Sequence, residues 1–236
     1  RVPCAAACPV HIDVPGYLRM CALGRRDEAH AIIREKVPFA GVLGRVCIHL
    51  CEDACRRGEV NESVAICALK RYAADGDRGL WKKENKIAAD SGKKVAIVGA
   101  GPAGLTAAFY LRKKGHGVTV FDANPAAGGM LRYGIPPYRL PRDILDREIA
   151  DILALGINLK SGLTLGKDFT LDQLTADGYD AVFLAVGASD SLHIQLDGCD
   201  LADAIRGTEF LRRVAQGEDV KLRGKVVVIG GGNVAV

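Results

Sequence analysis

An α/β fold is predicted for this chain of 236 residues: a helical amino-terminal part, then a doubly wound, mainly parallel sheet, then the start of a second unit of the same kind. Three observations predict it. Seven of the eight cysteines fall in the first 67 residues, and one, Cys199, in the 169 that follow. After Gly92 the pattern changes to short apolar runs alternating with longer amphipathic stretches, as expected of strands joined by helices. Two of those runs lead into similar glycine loops, at Lys94 and at Lys225.

The first part reads as helical. Val14–Leu23 and Asp27–Glu35 have helix-compatible spacing, with Pro15 near a start and Gly24 near a stop. Ser63–Ala74 is a third helix, with Val64, Leu69 and Tyr72 as core positions. Gly76–Gly92, rich in Asp, Gly and Ser, is predicted to be the linker. Beyond it, Val95–Val98, Gly117–Phe121, Ala181–Val186 and Val226–Ile229 read as buried strands. Ala103–Lys114 and the stretch beginning at Pro141 read as helices.

Composition narrows the function classes. Hydrophobic residues make up 49% and charged residues 25%, the balance of an ordinary globular protein, and no run approaches the ~18 apolar residues of a membrane span. The net charge of +4 is spread evenly, with 15 basic against 12 acidic residues up to Asp90, so nucleic acid is not expected as a partner. Glycine is abundant at 28 residues, about 12% against a usual ~7%, without a collagen-like period. The chain begins at Arg1 without methionine and stops at Val236 inside a motif, so it is read as part of a longer, cytoplasmic polypeptide without a visible targeting segment.

The cysteines suggest a metal centre. Cys4-Ala-Ala-Ala-Cys8-Pro9 is followed by Gly44-Arg-Val-Cys47, then Cys51 and Cys55 at four-residue steps. Iron–sulfur clusters need four soft thiolate ligands, usually one close group plus distant partners. A 4Fe–4S cluster held among Cys4, Cys8, Cys47, Cys51 and Cys55 is the reading adopted. The alternatives are zinc, with His49 or His11 recruited, or structural thiols; disulfides do not suit a cofactor-binding chain without a secretion signal. Cys21, Cys67 and Cys199 lack partners at ligand spacing and read as small buried hydrophobes. His30, His116 and His193, like His11 and His49, form no metal spacing among themselves.

Lys94-Val-Ala-Ile-Val-Gly99-Ala-Gly101-Pro102-Ala103-Gly104 is a strand, a Gly-x-Gly-x-x-Gly turn and a helix start. Gly99 permits the turn, Gly101 lets the backbone approach a pyrophosphate, and Gly104 lets helix and strand pack closely. The phosphate would meet free amides at the positive end of the helix. Asp122 follows 18 residues beyond Gly104, at the end of the next strand, where a carboxylate binds ribose hydroxyls. Val226-Val-Val-Ile-Gly230-Gly-Gly232-Asn-Val-Ala235 repeats the scheme with a small third residue, usual for nicotinamide dinucleotides. Two such units about 130 residues apart imply FAD at the first and NAD(P) at the second.

With Gly128-Gly-Met-Leu-Arg-Tyr-Gly-Ile-Pro-Pro-Tyr-Arg-Leu-Pro141 added to these motifs, the chain resembles the small-subunit flavoproteins of NADPH-dependent glutamate synthase and their relatives. Those relatives include the N-terminal domains of dihydropyrimidine dehydrogenase and the large subunit of NADH-dependent ferredoxin:NADP oxidoreductase. The resemblance covers essentially the whole chain. It implies that Gly129 and Met130 offer backbone near the flavin, that Arg139 pairs with its phosphate or ring region, and that Leu165 makes a backbone contact to the adenine. Phe183-Leu-Ala-Val-Gly187 resembles the strand and glycine that close over a flavin. Family members with two clusters have further cysteines ahead of the position of Cys4, and an acidic or amide ligand near the position of Lys70. A protonated lysine cannot ligate iron, so five candidate thiolates are taken to supply one cluster with one to spare.

The division expected is a helical iron–sulfur domain at 1–90, a doubly wound FAD-binding domain at 91–223, and the start of a Rossmann-type NAD(P)-binding domain at 224–236. The function expected is electron transfer between NAD(P)H, FAD and the cluster to other subunits of an oxidoreductase complex. The cofactors carry the difficult chemistry, so no side chain is named as a general acid or base. The alternatives are the small subunit of a glutamate synthase proper, and a cluster-holding adaptor without activity. A flavin disulfide reductase is disfavoured, because Asp122–Ile229 contains only Cys199.

Overall fold

The computed structural model describes residues 2–191, 197–199, 201 and 203–235. His193 and Val236 lie outside the described residues. The helical part holds α1 (Pro3–Ala7), α2 (Val14–Ala22), α3 (Arg26–Arg34), α4 (Ala40–Val46), α5 (Leu50–Asp53), α6 (Ile66–Asp75) and α7 (Leu80–Glu84). A 3-10 turn at Arg56–Glu59 separates α5 from α6. Then follow β1 (Lys94–Val98), α8 (Pro102–Lys113), β2 (Gly117–Asp122), α9 (Met130–Tyr133), α10 (Arg142–Leu153), β3 (Asn158–Ser161), α11 (Leu171–Ala176), β4 (Ala181–Leu184) and α12 (Gly207–Ala215).

The starts and stops follow local chemistry. In α2 the Asp13 carboxylate accepts the Gly16 N–H, a proline occupies the first turn, and Gly24 follows the end with φ +72°. In α11 Thr170 and Gln173 satisfy each other's backbone N–H in a capping box. The four strands are all parallel, in the order β3-β2-β1-β4. Alternate residues of β1 face opposite layers, as the pleat requires. Val95 and Ile97 join the main core with Leu105 and Phe109 of α8 and Leu145, Ile149 and Ile152 of α10. Ala96 and Val98 join Phe121 and Leu174 on the other face.

The helical part and the sheet are not independent bodies. Phe39, Val42 and Trp81 belong to the same buried core as Ile97, Leu105 and Leu145. The predicted linker therefore departs from an open connection: α7 lies inside it, and Trp81 is only 4% exposed. The physical reason is hydrophobic, since the indole is the largest apolar surface of the stretch and the shared core removes it from water. Its ring N–H donates to Asp77 Oδ2 at 3.1 Å, and Arg34 stacks on it 3.7 Å from the ring centre. Arg34 in turn lies 3.8 Å from Glu148 of α10, and both side chains are buried. Glu148 accepts N–H bonds from Gly41 at 2.7 Å and Val42 at 2.9 Å, so a carboxylate from the sheet layer caps the first turn of α4.

Three other expectations are corrected. Tyr72 is 43% exposed, not in the core, because Arg26 stacks on its ring at 4.1 Å and keeps it at the surface. Of Ala181–Val186 only Ala181–Leu184 forms β4, and Phe183 and Leu184 are exposed, since β4 is an edge strand. Val226–Ile229 is neither strand nor buried, with Val227 82% exposed, because no strand pairs with it among the described residues and a lone apolar run has no ladder to join.

Two outcomes test this arrangement. Glu148→Ala leaves Arg34 and two helix-start amides buried without their acceptor; it should cost about 3 kcal/mol or more in chemical denaturation, and Glu148→Gln less. Although burial acts in the opposite sense, the His30 ring holds the Asp77 carboxyl down at about 2, below its ordinary 3.8. A depressed carboxyl stabilises the fold above the unfolded value, and that contribution, about 2 kcal/mol, is lost as pH falls from about 4 to 2. Asp77→Asn should remove this part of the acid limb in a pH series of unfolding free energies.

Candidate functional site

Two places in the fold gather the residues singled out by sequence. The first is the loop between β1 and α8. Gly99 has φ +111°, its N–H donates to Phe121 O at 2.7 Å, and a Cβ there would lie 2.2 Å from Ala185 O. A Cβ at Gly104 would lie 1.8 Å from Gly99 O, so helix and strand pack too closely for any side chain. Gly101 differs. Its φ is −77°, and the nearest atom to a Cβ there is Gly129 Cα at 3.8 Å. The protein itself does not require glycine at 101, so the space in front of it is room for a ligand.

That space is a cavity of about 260 Å³ at the amino end of α8. Gly99, Gly101, Pro102, Ala103, Asp122, Gly129, Met130 and Gly187 all line it, as sequence predicts, and Asn124, Tyr133, Thr208 and Arg212 line it besides. Asp122 is buried. Its Oδ2 accepts the Ala100 N–H at 2.5 Å and its Oδ1 accepts the Asn124 N–H at 2.7 Å, which pins the glycine loop to the end of β2. Oδ1 also accepts the Asn124 side-chain amide at 3.1 Å, so Oδ2 is the oxygen that keeps a lone pair for a hydroxyl. Gly128 N–H donates to Ala100 O at 2.8 Å, joining the second glycine pair to the first. The cradle fits a dinucleotide: glycine surface, free helix-start amides and a buried carboxylate converge there.

Two residues expected there are elsewhere. Arg139 is exposed and Leu165 packs with Phe121, Leu174 and Phe169 beyond β3, and neither lines the cavity. The arginine that does shape this segment is Arg142, which sequence reasoning passed over. It donates to Leu131 O at 3.1 Å and Ile135 O at 2.9 Å, holding α9 in place.

The second place is the junction of α4, α5 and α6. A Cβ on Gly44 would lie 2.8 Å from Arg71 Cα, so the two helices cross almost backbone to backbone. Arg45 then bonds Asp75 through both carboxylate oxygens, at 2.8 and 3.0 Å. This crossing brings Cys47, at the end of α4, against Cys67, in the first turn of α6. The Cys67 thiol lies close enough to Cys47 to perturb it, and donates to Leu43 O at 3.5 Å and Gly44 O at 3.6 Å. His49, at φ +47°, turns its N–H onto Cys47 Sγ at 3.4 Å. Lys70, 5% exposed, lies one helical turn after Cys67, within electrostatic reach of Cys47, Cys51 and Cys67.

These contacts sort the thiols. The Cys67 hydrogen bond, with the His49 N–H and Lys70, takes the Cys47 thiol down to about 5, against the effect of its burial. Cys67 is pushed up by the same hydrogen bond and by burial, and burial raises Cys51. Cys55 stands apart, held low by the backbone N–H groups of Val64, Arg57 and Gly58. Cys67 and Cys199 are half-buried rather than enclosed, and Cys21 is buried as expected. Among the described residues no three His, Cys, Asp or Glu side chains already converge at metal-ligand geometry. The donor set nevertheless fits an iron–sulfur group in kind, being soft thiols beside a buried cation.

The chain is similar to known proteins over both its helical part and its sheet part. The chain is 48% identical to the NADP(+)-dependent formate dehydrogenase subunit beta of Moorella thermoacetica, over 99% of this chain and 36% of that protein. It is 42% identical to the NADPH-Fe(3+) oxidoreductase subunit beta of Geobacter sulfurreducens, over 99% and 36%, and 36% identical to the glutamate synthase [NADPH] small chain of Escherichia coli, over 99% and 52%. The chain thus spans about a third of the length of the first two relatives. Residues 1–80 match the family described as dihydropyrimidine dehydrogenase domain II, 4Fe-4S cluster. The cofactors these matches indicate are a 4Fe–4S cluster, FAD and NAD(P). Through residues 93–236, the chain belongs to the pyridine nucleotide-disulphide oxidoreductase family.

Proposed function

We propose that this chain is the electron-transfer part of an NAD(P)H-dependent oxidoreductase subunit, acting in the cytoplasm with partner subunits that accept or supply electrons. When bound, FAD supplies hydride exchange with the nicotinamide and passage to single electrons, and the cluster supplies one-electron transfer. The chain's own residues bind and orient. Gly99, Gly101, Gly129 and the first turn of α8 take the pyrophosphate, and Asp122 takes a ribose. Gly187, with Ala185 and Val186, adds the wall beside Gly99. Met130 and Arg139 are proposed along the flavin and Leu165 toward the adenine. Gly230, Gly232 and Ala235 are proposed as the start of the NAD(P) loop.

We take the working division as a cluster unit at 1–90, a flavin unit at 91–223 and a nucleotide unit from 224. The disulphide chemistry in the family name finds no support here, since Cys199 is the only cysteine between Asp122 and Ile229. The observation that carries the flavin reading is the open space at Gly101, which the fold does not need but a phosphate does.

Gly101→Val tests it. With φ at −77° and no protein atom within 3.8 Å of the new Cβ, the variant should fold with a circular dichroism spectrum like that of the parent. Its FAD content should nevertheless collapse, and an unchanged stoichiometry would remove the assignment.

A further inference from the structure

We propose that Cys67 is a cluster ligand, acting with Cys47, Cys51 and one thiol of the Cys4–Cys8 pair, and that Lys70 is the cation balancing the charge of that centre. The inference rests on the cluster reading above and identifies which thiols serve it. Cys67 is not an isolated thiol. It donates to Leu43 O at 3.5 Å and Gly44 O at 3.6 Å, in the helix that Cys47 closes, and the α4–α6 crossing at Gly44 fixes the two segments against each other. Glu52, the residue after Cys51, accepts the Cys67 N–H at 2.7 Å through Oε1, and Ser63 donates to Glu52 O at 2.9 Å. The Cys51 segment is thereby tied to the backbone of Cys67 itself.

Tyr17 closes the group from below. Its hydroxyl donates to Ile66 O at 3.1 Å, and it shares a buried core with Cys51, against which Cys4 and Cys8 both pack. The remaining thiol therefore comes from the Cys4–Cys8 pair. Cys21 is excluded because its thiol is buried and turned to Leu69 O at 3.8 Å.

Lys70 is the independent observation. It is 95% buried beside these thiols, and no carboxylate lies within ion-pair distance of it among the described residues. A buried cation needs an anionic partner. Four thiolates on a 4Fe–4S core supply one, each thiol releasing its proton to solvent as its sulfur–iron bond forms.

The experiment compares Cys67→Ala, Cys67→Ser and Cys55→Ser in the full-length protein, purified without oxygen. Iron, acid-labile sulfide and FAD are measured per polypeptide, with electron paramagnetic resonance of the reduced samples. Cys67→Ala should lose the iron of one cluster, or leave a three-iron signal, at unchanged FAD content. Cys67→Ser should shift the resonance of that cluster, and Cys55→Ser should leave it unaltered. Parental iron, sulfide and resonance in both Cys67 variants would overturn the assignment. If Cys67→Ala fails to fold, an unshifted Cys67→Ser spectrum overturns it alone. A parent protein without iron or sulfide would instead overturn the cluster reading.

Discussion

The Glu148 carboxylate is the constraint on which the arrangement depends. It sits in α10, within the layer that covers the sheet, yet its hydrogen bonds go to Gly41 and Val42 in the helical part. A buried carboxylate is costly unless several donors meet it. Two backbone amides at a helix start and the nearby Arg34 meet that requirement, although burial still raises the Glu148 pKa. Removing any one partner leaves the others buried and unmatched, so the contact is cooperative rather than a sum of weak bonds. A core containing Phe39, Val42 and Trp81 from one side and Leu145 and Ile149 from the other closes around it.

This places α4 between the two candidate sites. Its first turn is held by Glu148, and its last residue precedes Cys47. Seven residues of helix rise about 10 Å, so the thiol group stands at a fixed separation from the sheet layer. The Gly44 crossing then sets α6, with Cys67 and Lys70, against the same helix. Electron transfer, the function proposed, needs cofactors held at constant spacing more than it needs mobile side chains. The short helix with both ends anchored provides that. The dinucleotide loop is rigid for a parallel reason, since Asp122 ties Ala100 and Asn124 to the end of β2.

Much of this was legible in the sequence. The positions of α2, α3, α6, β1, α8 and β2 followed from periodicity and from glycine and proline punctuation, whereas the short helices α4, α5 and α7 did not. The glycine cradle was legible because its geometry is fixed by which residues lack a Cβ. What escaped depended on contacts distant in sequence. Trp81 sat in a stretch whose Asp and Gly content reads as a linker, and only the core it enters explains it. Val226–Ile229 had the composition of a strand, but a strand exists only with a partner. Cys67 was passed over because ligand spacing was sought along the chain. The available signal was one turn of helix, since Cys67 precedes Lys70 by three residues and shares its face.

Hydrogen exchange at Gly41 and Val42 tests most directly whether the two parts form one body. Their amides bond to Glu148 rather than to α4 itself, so they open only when the helical part leaves the sheet layer. The account predicts that they exchange with the same opening free energy, and the same denaturant dependence, as Ala96–Val98 in the centre of β1. Exchange of Gly41 and Val42 through a smaller opening, shared with α2 and α6 but not with β1, would contradict it.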